Sequence, residues 1–258
     1  ILYYDSVVLQ LLLIPIMIAG ALPFKLYFLI LENRRLSLFG DEQVKIFFLL
    51  LLGGTAVLVY DLVLFSDTGL PAAVLQGLFM AVSALTTTGF QTVNLQTWAG
   101  VTILFLAMLT FIGGAAGSTA GGIKLDRVAF GVRALLWWFR RLFVSGKVLV
   151  PFRVEGRVIP RDTAELETAK NMLVILLAVI IIFVASLAVL QYHITTFSLT
   201  EIVFQVVSAF STCGINTGYV MPEMPVISKW IFILVMWIGR LEVIPVIILF
   251  FALFRGPE

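Results

Sequence analysis

The chain has 258 residues, of which 61% are hydrophobic and only 12% are charged. Soluble domains carry about twice that share of charged residues, and a soluble fold cannot bury so much apolar surface. The composition therefore excludes a soluble globular protein and predicts an all-α membrane protein with several spans. The single cysteine also excludes an internal disulfide framework.

Five apolar segments are long enough to cross a bilayer, which takes about 20 helical residues. They are Val7–Leu31, Lys45–Phe65, Gly100–Ile123, Asn171–Tyr192 and Ser228–Phe254. Two further segments, Pro71–Leu85 and Ser198–Phe210, have about 15 residues or fewer, which is too few to cross at ~1.5 Å per residue. We expect these two segments to enter the membrane and return to the same side.

Basic residues are distributed unevenly among the connections. Three flank the connection after the first segment and ten more lie in Lys124–Lys170, whereas Ser66–Gly100 and His193–Ser228 contain none. Since cytoplasmic loops carry the excess of Lys and Arg, the two segments without basic residues should face the outside. The basic stretch is predicted to be a cytoplasmic linker with an interfacial helix at Asp126–Val144 and a hairpin at Val148–Ile159. It either anchors the chain at the membrane surface or binds a cytoplasmic partner.

Each short segment ends in the same small, polar turn. Residues 83–93, SALTTTGFQTV, and residues 208–218, SAFSTCGINTG, superpose with an offset of 125. This pattern predicts a parallel repeat of helix, re-entrant half-helix, turn and helix. A half-helix entering from outside directs its partly negative C-terminal end inward, and a glycine lets the following backbone expose its carbonyls.

Carbonyls arranged in this way replace the hydration shell of an alkali cation. One such turn could equally be a glycine C-cap, but its occurrence twice, after two segments that are too short to span, favours an ion path. The candidate ligands are the oxygens of Thr86, Thr87, Thr88, Gly89 and Phe90 in the first turn and of Ser211, Thr212, Cys213, Gly214 and Ile215 in the second.

Two features further along the chain are candidates for a gate. The stretch GGAAGSTAGG lies within the third long segment and contains Gly113, Gly114, Gly117, Ser118, Thr119, Gly121 and Gly122. It either permits close helix packing or unwinds beside a cavity; a phosphate-binding loop would need a Lys-Ser/Thr pair that is missing here. Arg240 lies in the last long segment, and Glu242 is on a different helix face. Arg240 serves either a structural ion pair or a positive barrier in an ion path.

The chain thus contains TTTGF at 86–90, GGAAGSTAGGIKLDR at 113–127, STCGINTGY at 211–219 and MWIGRLEVIPV at 236–246. Over essentially its whole length it resembles the Trk/Ktr/HKT superfamily of potassium transporters, nearest the bacterial TrkH and KtrB type. The resemblance implies repeated M1–pore helix–M2 units around one pore, with K⁺ at the filter carbonyls and with Gly89 and Gly214 as central filter glycines. It also implies that residues 113–122 form a gating loop and that Arg240 projects into the pore.

On this resemblance the chain divides into four parts. Residues 1–44 hold the last helix of a preceding repeat and a cytoplasmic linker, residues 45–125 and 171–258 hold two complete repeats, and residues 126–170 hold the interfacial helix and hairpin. Four turns surround the ion in this superfamily, and only two are present here. Because the chain also begins ILYYDSVVLQ, with neither an initial methionine nor a basic region, we expect the N-terminal half to be missing.

The resemblance further implies potassium uptake by a multi-pass protein of a bacterial or archaeal cell (inner) membrane. It implies a homodimer within the lipid bilayer that binds a soluble, nucleotide-sensing regulatory subunit on its cytoplasmic side, with no cofactor in this chain itself. Neither an enzyme nor a nucleic-acid-binding protein is indicated by the sequence. The alternatives are a non-conducting membrane scaffold, a sodium-permeable protein and an ion-coupled solute transporter.

Overall fold

A computed structural model describes residues 6–32, 40–65, 68–143, 151–154, 157–192 and 197–241, together with 245, 246 and 248. The helices within these ranges are α1 Val7–Ala21, α2 Phe24–Leu31, α3 Glu42–Phe65, α4 Leu70–Leu85, α5 Gly100–Ile112, α6 Leu125–Leu142, α7 Arg161–Gln191, α8 Leu199–Phe210 and α9 Val226–Leu241. Two short strands, β1 Phe152–Val154 and β2 Arg157–Ile159, pair antiparallel as a hairpin. The predicted all-α architecture is confirmed, with this hairpin as a small addition.

Within the described ranges, two helices are long and apolar enough to cross a membrane unaided. They are α3, with 24 residues, and the part of α7 from Asp162 to Gln191, with 30 residues. The pair α1 and α2 would supply a third crossing if it were one span, but its halves meet at an angle of 93°. The helix α7 begins ten residues before the predicted Asn171, so the irregular part of the basic linker is shorter than expected.

The prediction of one continuous helix over Val7–Leu31 is wrong. The chain leaves the helix after Ala21, because Leu22 is extended with ψ 154° and Pro23 follows it. Proline removes a hydrogen-bond donor and disfavours the helical conformation in the residue before it. The segment therefore forms two helices separated by a sharp bend, which we call the α1–α2 bend and define as residues 20–24.

The two short helices, α4 and α8, lie at the centre of the described part of the chain. α4 packs against α1, α3 and α5, and α8 packs against α5, α7 and α9. Their repeat-equivalent residues Phe79 and Phe204 are both fully buried. Ser198 and Glu201 form a capping box that starts α8, whereas α4 begins with a proline in its first turn.

The outward faces of the long helices are apolar. On α7 the side chains of Leu173, Leu176, Phe183 and Val184 are at least half exposed, and the same holds for Leu52 on α3. Contiguous apolar surface of this extent is unusual on a soluble monomer. It is the surface expected of helices that contact lipid tails, which offer no hydrogen-bond partners.

The basic linker folds against the start of α7. Trp137 of α6 packs edge-on against Phe152 of β1, with ring centroids 5.4 Å apart. The Arg141 guanidinium lies 5.5 Å from the centroid of the Trp137 ring and 3.1 Å from a carboxylate oxygen of Glu165 on α7. Residues 148–150 and 155–156 of the predicted hairpin lie outside the described residues, as do residues 144–147 before it.

We expect leucine at position 54 to destabilise the protein, because Gly54 lets α3 approach α5. A Cβ atom there would lie only 2.9 Å from the Cδ1 atom of Leu109, and overpacking a tight contact costs about 1–3 kcal/mol. Gly53→Leu is the matched control, since a Cβ at that position meets nothing within 4 Å. Thermal melting in detergent should show a lower Tm for Gly54→Leu alone; equal Tm values for the two variants would contradict this packing.

Candidate functional site

The turns that follow α4 and α8 are built from the same hydrogen bonds. In each turn, the first three backbone N–H groups donate to carbonyls in the last part of the preceding helix. The N···O distances are 2.9, 3.1 and 3.0 Å for residues 86–88 and 2.9, 3.0 and 2.9 Å for residues 211–213. The first three donors of each turn are therefore satisfied locally, by the helix that the turn ends.

The sign of φ alternates along both turns. The first residues, Thr86 and Ser211, have φ −79° and −77°, and the second residue of each turn is a threonine with φ +51°. The glycines at the fourth position, Gly89 and Gly214, have φ +82° and +93°. Alternating handedness turns successive N–H groups to one side of the backbone, which leaves the carbonyls on the other.

The carbonyl oxygens on that other side lack donors. Those of residues 86–89 and 211–214 accept no hydrogen bond from any residue that the structure describes. Thr86, Thr87, Ser211 and Cys213 are buried, whereas Thr88 and Gly214 are exposed. Buried carbonyls are nearly always paired, so the unpartnered carbonyls at the buried end of each row are available to a ligand. The hydroxyl of Ser211, which is fully buried, likewise has no partner among the described residues.

A buried serine closes each turn. The Ser83 hydroxyl donates to the Phe90 carbonyl at 2.6 Å, and the Ser208 hydroxyl donates to the Ile215 carbonyl at 2.8 Å. Both serines are fully buried. The fifth residue of each turn is thereby tied back to its own half-helix, and its carbonyl differs from the first four in having a donor.

The two turns lie side by side. A Cβ atom on Gly89 would collide with the Cys213 carbonyl oxygen, whereas a Cβ atom on Gly214 would meet nothing within 4 Å. Gly89 is therefore required by its positive φ and by the approach of the second turn. At Gly214, the positive φ favours glycine, and no described residue lies close enough to exclude a Cβ atom. A groove with a volume of ≈ 540 Å³ runs beside the second turn, and its lining includes Thr212 and Gly214.

The glycine-rich loop, residues 113–122, contacts the half-helix ends of both turns. The Gly121 N–H donates to the Thr87 hydroxyl at 2.6 Å. A Cβ atom on Gly121 would collide with the Ser211 carbonyl and would lie 2.6 Å from the Thr212 hydroxyl. Glycine is thus needed at this position because the loop touches the first residues of both turns.

The same loop is bound to the α1–α2 bend. Thr119 donates to the Gly20 carbonyl twice, from its N–H at 3.1 Å and from its hydroxyl at 2.9 Å. The Ala115 N–H donates to the Ala21 carbonyl at 3.1 Å. One more bond joins the loop to the bend, from the Phe24 N–H to the Gly117 carbonyl, and the Ala116 N–H donates to the Gln43 side-chain oxygen on α3. The Gly20 and Ala21 carbonyls have no helical partner because α1 ends at the bend. They accept hydrogen bonds from the loop instead.

The remaining predicted gate residues hold the loop in shape. A Cβ atom on Gly113 would collide with the Gly121 carbonyl, and one on Gly122 would lie 2.9 Å from the Gly113 Cα. The Gly114 carbonyl accepts the first N–H of α6, and the Ser118 hydroxyl donates to the Ala115 carbonyl at 2.6 Å. These residues do not reach the turns directly, in contrast to Gly121.

Arg240 lies in the last turn of α9, and its side chain is exposed. The residue before it, Gly239, touches the end of α8, because a Cβ atom there would collide with the Phe210 carbonyl. Arg240 is therefore one residue away from a direct contact with the start of the second turn. Its predicted neighbour Glu242 lies outside the described residues.

Sequence reasoning assigns no role to three residues that hold the turns together. Ser83 and Ser208 close the turns, and their identity in both copies of the motif was the available signal. Gln91 bonds to Asn216 in the other turn, which no local pattern indicates.

Comparisons with known proteins agree on one family. Residues 1–255 match the family model for TrkH, a cation transport protein. An uncharacterized cation transporter of Methanocaldococcus jannaschii is 32% identical over 185 residues, which are 70% of this chain and 37% of that protein. The Trk system potassium uptake protein TrkH of Halomonas elongata is 26% identical over 260 residues, which are 96% of this chain and 51% of that protein.

The fold is also that of a solved structure. The potassium transporter TrkH from Vibrio parahaemolyticus superposes with a TM-score of 0.82 at 23% sequence identity, over 96% of this chain and 53% of the other. The chain spans about half the length, or less, of these relatives.

Alanine at position 83 or 208 should destabilise the protein, and more so at 208, because the part-buried Phe90 carbonyl or the buried Ile215 carbonyl would lose its donor. Leaving one buried acceptor unsatisfied costs about 1–3 kcal/mol, so thermal melting should show a lower Tm for each variant. Ser186→Ala is the matched control, since the Ser186 hydroxyl is buried without a partner among the described residues. A Tm as high as that of the control would show that these serines do not support the turns.

Proposed function

This chain belongs to the TrkH family of cation transport proteins, and we propose that its two turns form part of a carbonyl-lined filter for potassium uptake. The family is one of transporters, not of enzymes. One observation carries the proposal: the same turn occurs twice, and in both copies the first four carbonyls lack a donor among the described residues. Relatives named as potassium uptake proteins support the choice of ion.

Potassium would bind to the oxygens of residues 86–89 and 211–214, which offer the ligand type that replaces its hydration shell. The Ser211 hydroxyl adds an oxygen at the end of the second row. Phe90 and Ile215 close the turns, since their carbonyls accept bonds from Ser83 and Ser208. We propose that a complete filter needs further turns, which a longer protein would supply.

Helix dipoles favour a cation at this position. The turns stand at the C-terminal ends of α4 and α8, and each such end carries a partial negative charge of about half an elementary unit. An anionic solute would be repelled here, which argues against a carrier for such solutes. With the half-helices entering from outside, a membrane potential that is negative inside adds roughly 2.3 kcal/mol per charge for each 100 mV.

We propose that the glycine-rich loop is the gate. Gly121 lies against the ends of both turns, so a cation leaving the filter towards the cytoplasm would meet this backbone first. The contacts of Thr119 with the α1–α2 bend hold the loop in place. Arg240, close to the start of the second turn, would add a positive barrier on the same path.

The partners in the proposal follow from the family. The protein would be a homodimer in a bacterial or archaeal cell membrane, regulated by a soluble nucleotide-sensing subunit on the cytoplasmic side. The linker helix α6 supports a location at that membrane surface, because Leu136, Phe139 and Leu142 are at least half exposed beside Arg140.

The filter is tested by cation flux into proteoliposomes that contain the full-length protein. The unsubstituted protein should take up K⁺ saturably and in preference to Na⁺. Gly89→Ser and Gly214→Ser should each reduce that preference, and Gly89→Ser should reduce it more, because its Cβ also collides with the Cys213 carbonyl. Gly53→Ser, where a Cβ has free space, serves as the control.

The alternatives predict other outcomes of the same assay. A folded protein without cation flux would be a scaffold, and the proposal would fail. Equal K⁺ and Na⁺ fluxes would indicate a sodium-permeable protein, and flux that depends on a second solute would indicate coupled transport. A full K⁺ preference in both glycine variants would show that the turns are not the filter.

Thr119→Val is expected to raise K⁺ flux at a fixed driving force while leaving the K⁺ to Na⁺ ratio unchanged. The variant removes one hydrogen bond between loop and bend, worth about 1 kcal/mol or roughly fivefold in an equilibrium. Thr55→Val is the matched control, because the Thr55 hydroxyl is buried without a partner among the described residues. An unchanged or lower flux in Thr119→Val would exclude the loop–bend contact as a restraint on the gate.

A further inference from the structure

Gln91 connects the two turns through its side-chain amide. Its Nε2 donates to the Asn216 carbonyl at 3.0 Å, and its Oε1 accepts from the Asn216 N–H at 3.3 Å. The same Nε2 also donates to the Val93 carbonyl at 2.9 Å. The Gln91 side chain therefore bonds to both the N–H and the carbonyl of Asn216 in the other copy of the motif. It also bonds to the Val93 carbonyl in its own loop.

The two connected residues occupy the same position in the repeat. Gln91 follows the first turn and Asn216 follows the second, with a separation of 125 residues. Their side chains nevertheless do different things. The Asn216 side chain bonds only within its own loop among the described residues, accepting from the Gly218 N–H and donating to the Val220 carbonyl. The longer glutamine crosses between turns, and the shorter asparagine does not.

The Gln91 bridge completes a series of contacts along the turns. At the half-helix ends, Gly121 touches both turns. In the middle, Gly89 approaches the Cys213 carbonyl. At the opposite end, Gln91 holds the backbone of Asn216. In the bridge, one side-chain amide bonds to both backbone polar groups of a residue that follows the other turn.

We infer that Gln91 is a positioning residue that fixes the distance between the two turns and thereby their preference among alkali cations. The inference rests on the proposed function. Filter carbonyls distinguish cations by the spacing and number of the oxygens that replace water. A bond that holds the ends of two turns together limits how far their oxygen rows can separate or close, and K⁺ and Na⁺ differ in the spacing they need.

The test is the K⁺ to Na⁺ flux ratio of the full-length protein in proteoliposomes, with Gln91→Leu in place of Gln91. Leucine has a similar size and no hydrogen-bonding atom, so both bonds to Asn216 are lost. We expect a ratio lower by up to about 25-fold, since the two bonds to Asn216 are removed and each is worth roughly fivefold. Gln191→Leu is the matched control, because it makes the same chemical change at an exposed residue that ends α7.

A second variant, Gln91→Glu, tests the same bond in case Gln91→Leu does not fold. Gln91→Glu keeps the shape and the acceptor but replaces the donor that binds the Asn216 carbonyl, so it should lower the ratio in the same direction. Melting temperature and yield are measured for every variant, since a merely structural role would change these and not the ratio.

The outcomes separate as follows. A lower ratio in folded Gln91→Leu or Gln91→Glu, with Gln191→Leu unchanged, supports the inference. An unchanged ratio in a folded Gln91 variant, an equal fall in Gln191→Leu, or failure of both Gln91 variants to fold would overturn it. Absence of cation flux in the unsubstituted protein would instead remove the proposed function, and the inference with it.

Discussion

Backbone that leaves the helical state at membrane depth must find partners for its N–H and C=O groups, because lipid offers none. Three helix ends and one bend meet in this chain: those of α4, α5 and α8, and the α1–α2 bend. Their polar groups satisfy each other, with the turns bonding back to their half-helices and the glycine-rich loop bonding to the bend. The carbonyls of residues 86–89 and 211–214 are left without a donor among the described residues, and they form the proposed ion site.

The turns after α4 and α8 have the same local structure but different surroundings. The turns share their hydrogen bonds, their φ signs and even a threonine in the left-handed region at the second position, a conformation that threonine seldom adopts. Yet only the first glycine lies against the other turn. The side chains that cross also differ: Gln91 bonds to the Asn216 backbone from the first turn, and the Cys213 thiol donates to the Ser83 carbonyl from the second. The local sequence determines the backbone conformation of each turn. The neighbouring helices and loops determine which of its residues are in close contact.

The sequence predicted the parts of the fold that depend on local length and hydropathy. The half-helices α4 and α8 lie within one residue of their predicted starts, because a segment too short to span is visible in composition alone. The family was predicted from motifs and is confirmed. The single helix over Val7–Leu31 was wrong, since hydropathy outweighed the proline at position 23. The domain boundaries and the filter and gate assignments remain predictions.

The site was less predictable, for a physical reason. Turn residues could be named because a glycine after a short helix is a local signal. The bonds from Gln91 to Asn216, from Thr119 to Gly20 and from Ala116 to Gln43 join residues far apart in the chain. Such pairs form only when the helices pack together, and no local pattern in the sequence specifies which residues then meet.

The contact between Thr119 and Gly20 spans 99 residues, and this separation has a consequence for assembly. The α1–α2 bend is synthesised before α3, α4 and α5, but the groups that satisfy its carbonyls emerge only after these helices. The entropy of closing so long a loop grows only slowly with length, yet the closure cannot precede insertion of the intervening helices. The bend therefore reaches its native bonding only after the loop that follows α5 has been made.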